Sequence, residues 1–208
     1  MRSPMLHRAI PIVCWLLAAG MVGVLPLPPL AAADRSPDKP ATPKNIDETP
    51  PLVPILNAQV TKTGLLIGGQ PTPEQLKAIQ EAGYRTVITL RTDSERGDEG
   101  EQATVERLGM KFVRIPVAGP AGLTQDNAHA LSKALSEEDV LPAVLHCRTG
   151  QRVSALLGLK AFVVDRASAA AAMDLAKRLG IKKLEAALRE RIAEICKSDK
   201  SRNCEDLP

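Results

Sequence analysis

Short apolar runs alternate with amphipathic stretches from about residue 64 onward. Four runs, GLLIGG (64–69), RTVITL (85–90), KFVRIPV (111–117) and AVLHC (143–147), read as strands; RTVITL is apolar and β-branched, as a strand buried on both faces should be, and AVLHC is the most apolar. The intervening segments TPEQLKAIQEAG (72–83), GEQATVERLG (100–109) and TQDNAHALSKALSE (124–137) carry apolar residues at helical spacing. The first has Thr72 as cap, Pro73 in the first turn, Gln75 to complete a capping box and Gly83 as stop. Thr124 caps the third in the same way. Three more helices are predicted near 152–164, 168–179 and 182–197; the segment 168–197 can pack on the sheet or mediate self-association, and its stripe of Met173, Leu175 and Leu179 is more often core than interface. This alternation predicts an α/β fold: a central, mostly parallel sheet of about four to five strands flanked by helices. Ligands of such sheets bind beyond the carboxyl ends of the strands, and Cys147 stands at such an end.

The first part of the chain departs from that pattern. Arg2 and Arg8 precede an apolar run from Ala9 to Leu25, and Ala31 and Ala33 form a small-residue cleavage pattern before Asp34. Residues 1–33 are therefore expected to be a secretory signal peptide, with a retained membrane anchor as the rival reading. Cys14 lies inside the apolar run rather than at its end, which argues against a lipoprotein anchor. Residues 34–54 hold six prolines among charged and small residues and read as a linker. The expected folded domain is 55–197, followed by a C-terminal tail, 198–208. The mature protein is expected to be periplasmic or secreted, with no stable membrane association after cleavage.

Charge and composition exclude several classes of function. The whole chain has a net charge of +3, and removal of the leader takes away two basic residues and no acidic ones. A balance near neutrality gives no electrostatic reason to expect nucleic acid as a partner. Tyr84, Phe112 and Phe162 are the only aromatic residues beyond the leader, so the core is aliphatic and no base-stacking platform is present. Cys147, Cys196 and Cys204 remain after cleavage. In an oxidising compartment Cys196 and Cys204 can pair and clip the tail to the last helix; two free thiols is the alternative. Pairing would leave Cys147 as the odd thiol, buried and inert or reactive.

Its surroundings favour reactivity. HCRTGQR (146–152) follows the most apolar strand and opens a helix. A strand, a glycine-containing turn and a helix N-terminus aim several backbone N–H groups at one point, a concavity suited to oxyanions and to a thiolate. Making a thiol substantially anionic at neutral pH requires roughly 3.4 kcal/mol. A helix terminus supplies about 0.3–1 kcal/mol, up to ~2 in good geometry, so direct N–H donation and Arg148 or Arg152 must add to it. Arg152 is the better candidate for substrate, because its planar fork can hold two oxygens of a tetrahedral anion. Arg148 more plausibly braces the loop, Gly150 permits the turn and His146 can orient it.

The heptapeptide resembles the active-site loop of cysteine-dependent phosphatases of the tyrosine and dual-specificity class. The wider pattern GGQPTPEQLKAIQEAGYRTVITLR, GMKFVRIPV and AVLHCRTGQR resembles more closely one bacterial branch, the beta-lactamase-hydrolase-like phosphatases and the phosphatase domains fused to NAD kinases, over about residues 60 to 165. The resemblance implies a phosphatase-like fold and a reaction without metal or other cofactor on a phosphorylated protein or small molecule. Cys147 would attack phosphorus, while Arg148, Thr149, Gly150, Gln151 and Arg152 hold the oxygens. Ser154 and His146 would support the loop. The resemblance also implies a general acid from the loop 116–126, whose one carboxylate is Asp126. Asp93, Glu95 and Asp98 follow another strand end and are further candidates, with Arg91 placed to brace them. Two departures mark this chain: four residues rather than five separate Cys147 from Arg152, as in the bacterial branch, and Val153 stands where a hydroxyl residue usually follows the arginine.

Two rival readings stay open at this stage. A rhodanese-like sulfurtransferase would carry a persulfide on Cys147, but the glycine-rich motifs expected of one are missing. A catalytically inactive oxyanion-binding domain would tolerate Val153 and an unassigned acid.

Overall fold

The computed structural model describes residues 50–95, 97, 99–205 and 207. The expected leader, nearly all of the Pro-rich stretch and Asp98 lie outside these residues.

The sheet has five strands: β1 (Gln59–Val60), β2 (Leu65–Gly68), β3 (Thr86–Thr89), β4 (Lys111–Arg114) and β5 (Ala143–His146). Their spatial order is β1-β2-β5-β3-β4. β2, β5, β3 and β4 run parallel, and only the edge strand β1 is antiparallel to its neighbour. β5, the most apolar of the predicted strands, is central, and the mostly parallel α/β architecture read from the alternation is the one observed. β4 stops at Arg114 rather than continuing to 117, because Pro116 has no amide to donate. The chain still tracks β3 beyond that point, with the Ile115 and Val117 amides bonded to the Thr89 and Leu90 carbonyls.

Among the described residues, six α-helices pack around the sheet: α1 (Pro73–Glu81), α2 (Glu101–Arg107), α3 (Gln125–Leu135), α4 (Gln151–Val163), α5 (Ala169–Arg178) and α6 (Glu185–Ser198). The Thr72 capping box is fully formed: its hydroxyl accepts from the Gln75 amide while the Gln75 side chain accepts from the Thr72 amide. Side-chain alternation along each strand divides the core in two. Leu65, Ile67, Ile88, Leu145 and Cys147 face a layer built from α3 to α6, whereas Leu66, Val87 and Val144 face α1 and α2. Met173 belongs to the larger layer and Leu175 and Leu179 pack against it, as the apolar stripe predicts.

α4 is buried on nearly all sides, since it lies between the sheet and α5 and α6. Gly158 makes that position possible. A Cβ there would stand 2.9 Å from the Ala176 Cβ, 3.0 Å from Leu188 Cδ2 and 3.1 Å from the Ala172 carbonyl oxygen. The far end of α4 is fastened by the tail. Arg202 Nη1 donates to the Phe162 and Val163 carbonyls at 2.8 and 2.9 Å, and its guanidinium lies 5.5 Å from the Phe162 ring centroid. Cys196 and Cys204 are joined by a disulfide, which secures the same tail to α6.

Candidate active site

The segment between β5 and α4 is a tight loop held from below by β2. The Cys147 amide donates to the Gly68 carbonyl, and the Gln70 amide donates to the Arg148 carbonyl. Gly69 and Thr149 form an isolated antiparallel bridge, and Asn57 Nδ2 donates to the Thr149 carbonyl at 3.1 Å. Two glycines are required here. Gly150 has φ of +85°, which a residue with a Cβ adopts only under strain, and a Cβ on Gly69 would lie 3.0 Å from the Arg148 carbonyl oxygen.

This geometry turns the loop onto the sulfur. Cys147 is 1% exposed and is the free cysteine among the described residues. Its Sγ accepts a hydrogen bond from the Gly150 amide at 3.1 Å. Gly150 is the N-cap of α4, so the amides of the first turn that follow it have no intrahelical acceptor and face the same mouth.

Arg152 lies beside the sulfur and is held by four acceptors. Nη1 meets the Leu90 carbonyl at 3.1 Å, the Val117 carbonyl at 3.0 Å and Glu95 Oε1 at 2.5 Å, and Nη2 meets Glu95 Oε2 at 2.7 Å. Glu95 therefore takes the end of the guanidinium two-on-two. The remaining edge, Nε–H with the second Nη2–H, meets no oxygen acceptor among the described residues; the Cys147 sulfur is the guanidinium's other side-chain partner, and this edge can offer a two-point contact to an anion bound beside it. Burial works against the charge of Arg152, but its bond to Glu95 and the neighbouring Cys147 sulfur outweigh that and hold the guanidinium above its ordinary value. Glu95 is pushed down to about 2, first by the hydrogen bond from Arg152, with burial opposing, and then by the Thr92 amide and the charges of Arg152 and Arg91.

Behind this pair runs a line of polar side chains at the carboxyl ends of the strands. Arg91 Nε lies 3.4 Å from Glu95 Oε2, and Arg91 Nη1 donates to Gln70 Oε1 at 2.8 Å. Gln70 Nε2 donates to Glu101 Oε1 at 2.7 Å, and that same oxygen is 3.0 Å from His146 Nε2. Arg91, Glu101 and His146 are all buried. Although the Glu101–His146 distance is within hydrogen-bond range, neither His146 nitrogen forms a hydrogen bond among the described residues. His146 points to the α1/α2 face, opposite to Cys147, as strand alternation requires.

The other predicted residues divide between the mouth and its supports. Arg148 and Thr149 are exposed on the loop. The Gln151 side chain turns away from the mouth: it donates to the Gly180 carbonyl and accepts from the Lys182 and Lys183 amides, leaving only its backbone N–H to face an anion. Ser154 Oγ donates to the Leu179 carbonyl at 2.6 Å and braces α5 against α4 rather than meeting the sulfur. Asp126 is exposed in the first turn of α3 and makes no hydrogen bond or ion pair within the described structure. Asp93 pairs with Arg114 at 3.1 Å, and Glu95, ionised and doubly bonded, has no proton to give. Sequence reasoning placed Arg91 and Glu95 near the site without assigning Glu95 to Arg152, and it missed Gln70 and Glu101 entirely. The four-residue spacing from Arg91 to Glu95 was the available signal, and nothing comparable marks Gln70 or Glu101.

A cavity of about 270 Å3 lies along the side of the loop, lined by Asn57, Gln59, Thr149, Gln151, Gly180 and Lys182 among others. Neither Cys147 nor Arg152 lines it, so the chemistry is assigned from the sulfur and its donors and not from that hollow. No group of three or more His, Cys, Asp or Glu residues suited to a metal ion occurs among the described residues.

The family described as DSP-PTPase phosphatase fused to NAD+ kinase matches residues 55–194. A beta-lactamase hydrolase-like protein of Xylella fastidiosa is 30% identical over 106 residues, covering 49% of this chain and 24% of the relative. The chain thus spans about a quarter of the length of the curated relatives it matches. Among solved structures, a DUF442 protein of Shewanella putrefaciens CN-32 superposes with a TM-score of 0.54 at 23% identity, covering 69% of this chain and 91% of that one. The core catalytic domain of the PP-IP phosphatase SIW14 of S. cerevisiae superposes with a TM-score of 0.53 at 17% identity, covering 73% and 95%. At these identities the two structures speak to the fold alone, and the family match speaks to descent. A glycine-turned cysteine loop followed by its arginine is where such a family would carry its chemistry, and this chain belongs to the DSP-type cysteine phosphatase family whose members occur fused to NAD+ kinase.

Proposed function

We propose that the protein is an exported phosphatase that hydrolyses a phosphomonoester, of the protein tyrosine or dual-specificity type, through a phosphocysteine on Cys147. The observation that carries this reading is the Gly150 amide donating to the Cys147 sulfur while Arg152, fixed by Glu95, stands against the same sulfur. The sulfur, as thiolate, attacks phosphorus; the P–O bond to the leaving group breaks, and a general acid protonates the departing oxygen. The loop amides and the open edge of Arg152 hold the equatorial oxygens as charge builds on them. Water then attacks the phosphocysteine, the P–S bond breaks, and inorganic phosphate leaves with the thiolate restored. Asp126 is assigned as the acid, because Glu95 and Asp93 are committed to arginines. Export is supported by the leader-like sequence of residues 1–33 and by the Cys196–Cys204 disulfide, a bond suited to an oxidising compartment.

Assaying para-nitrophenyl phosphate hydrolysis and, separately, sulfur transfer from thiosulfate to cyanide tests the reading. Phosphate release by the wild type, abolished in Cys147→Ser while tungstate still binds, is the expected result. Sulfur transfer without phosphate release would replace the phosphatase with a rhodanese-like activity. Tungstate binding without either reaction would leave an oxyanion-binding domain.

A further inference from the structure

The line of polar groups behind Arg152 has one amide, and its chemistry is unusually constrained. Gln70 sits just past β2 with its amide between a carboxylate and a guanidinium. Its nitrogen must face Glu101 Oε1, which only accepts, and its oxygen must face Arg91 Nη1, which only donates. The amide can therefore take one orientation and not its flip. On one side this fixes Glu101, which lies against His146, the residue before the nucleophile. On the other it fixes Arg91, which lies 3.4 Å from the same carboxylate that grips Arg152.

We propose that Gln70 is a positioning residue for the reaction: through Arg91 and Glu95 it sets the angle at which Arg152 presents its open edge to the oxyanion. It touches neither substrate nor sulfur. Without the amide, Arg91 and Glu101 each lose a hydrogen bond in buried surroundings where water does not readily replace it. Without its Gln70 acceptor the Arg91 guanidinium is less firmly held, and its pairing with Glu95 shifts, so the Glu95 carboxylate is shared differently between two arginines. Because an Arg–carboxylate pair is directional, a small rotation of Glu95 turns the whole plane of Arg152. The proposal rests on Arg152 being the oxyanion-binding arginine, as argued above.

The test compares tungstate binding by calorimetry for the wild type, Gln70→Met, Gln70→Glu and Gln70→Glu combined with Glu101→Gln. Gln70→Met keeps the volume and removes both hydrogen bonds, and it is expected to weaken tungstate by about tenfold. Gln70→Glu sets two carboxylates face to face and is expected to weaken it at least as much. The double exchange restores a donor–acceptor pair between positions 70 and 101 with its direction reversed, 101 now donating to 70, while Arg91 keeps its acceptor, and affinity should return to within about threefold of wild type. A purely structural role would move the melting temperature without this pattern. A second readout places Gln70→Met on Glu95→Gln: with the relay already cut, no further loss is expected. Folded Gln70→Met binding tungstate as the wild type does, additive losses with Glu95→Gln, or no rescue by the double exchange would each overturn the proposal. Hydrolysis of para-nitrophenyl phosphate by the wild type, measured beside it, reports on the phosphatase reading separately. Binding without turnover would sink that reading and leave the Gln70 comparison intact. A wild type that binds no tungstate would sink both.

Discussion

Glu95 contributes twice, to the site and to the fold. It holds Arg152 by two hydrogen bonds and lies near Arg91, so its carboxyl titrates near 2 against an ordinary 4.5. A depressed carboxyl favours the folded state fully above about pH 4.5, and that share of stability is lost as the pH falls toward 2. Glu95→Gln is expected to cost about 1–3 kcal/mol at pH 7 by urea unfolding. The gap from wild type should close between pH 4.5 and 2; an unchanging gap would show that the ion pair does not report on folding. Asp126 makes a different prediction. If it protonates the leaving group, Asp126→Asn will slow hydrolysis of an alkyl phosphate about a hundredfold but barely affect para-nitrophenyl phosphate, whose leaving group needs little help. Equal effects on both substrates would remove Asp126 from that role.

At the scale of elements, the site depends on α4 being driven deep enough for its first turn to meet the end of β5. Gly158 sets that depth by allowing α4 to approach Ala172 and Ala176 of α5. Gly158→Val is expected to cost about 1–3 kcal/mol through overpacking, read as a lower urea midpoint at unchanged slope. A neutral result would mean that α5 yields without penalty. This layer of organisation was largely legible beforehand, because buried parallel strands and capped helices leave local signals: β-branched runs, Thr72 with Gln75, Thr124 and the stopping glycines. β1 was not legible. Gln59–Val60 is two residues long, and its pairing to β2 depends on a turn rather than on an apolar run. The shortened β4 followed from Pro116, which the apolar pattern had overridden.

For the whole molecule, the C-terminal tail completes the layer that carries the loop between β5 and α4. Arg202 binds the last carbonyls of α4, and the Cys196–Cys204 bond closes a short loop beside it. Replacing both cysteines with serine is expected to lower stability by about 2–3 kcal/mol from loop-closure entropy, with phosphatase activity of the folded protein kept, since the tail meets α4 at its Phe162–Val163 end while Cys147 precedes its first turn. Loss of activity at full stability would instead tie the tail to the chemistry. Global arrangement also explains what the sequence concealed at the site. Gln70, Arg91, Glu95, Glu101, His146 and Arg152 come from different strand ends and helices, and only the sheet order β2-β5-β3 brings them into one line. Cys147, Gly150 and Arg152 were legible because a single turn holds all three.

The most direct test is to trap the bond that the reaction must form. Mixing the wild type with para-nitrophenyl phosphate, quenching in acid within the first turnover and mapping the peptides by mass spectrometry should find phosphate on the Cys147 sulfur. The label should be absent from Cys147→Ser. Rapid turnover with no phosphate on Cys147, or an equal yield of product from the serine variant, would contradict the account.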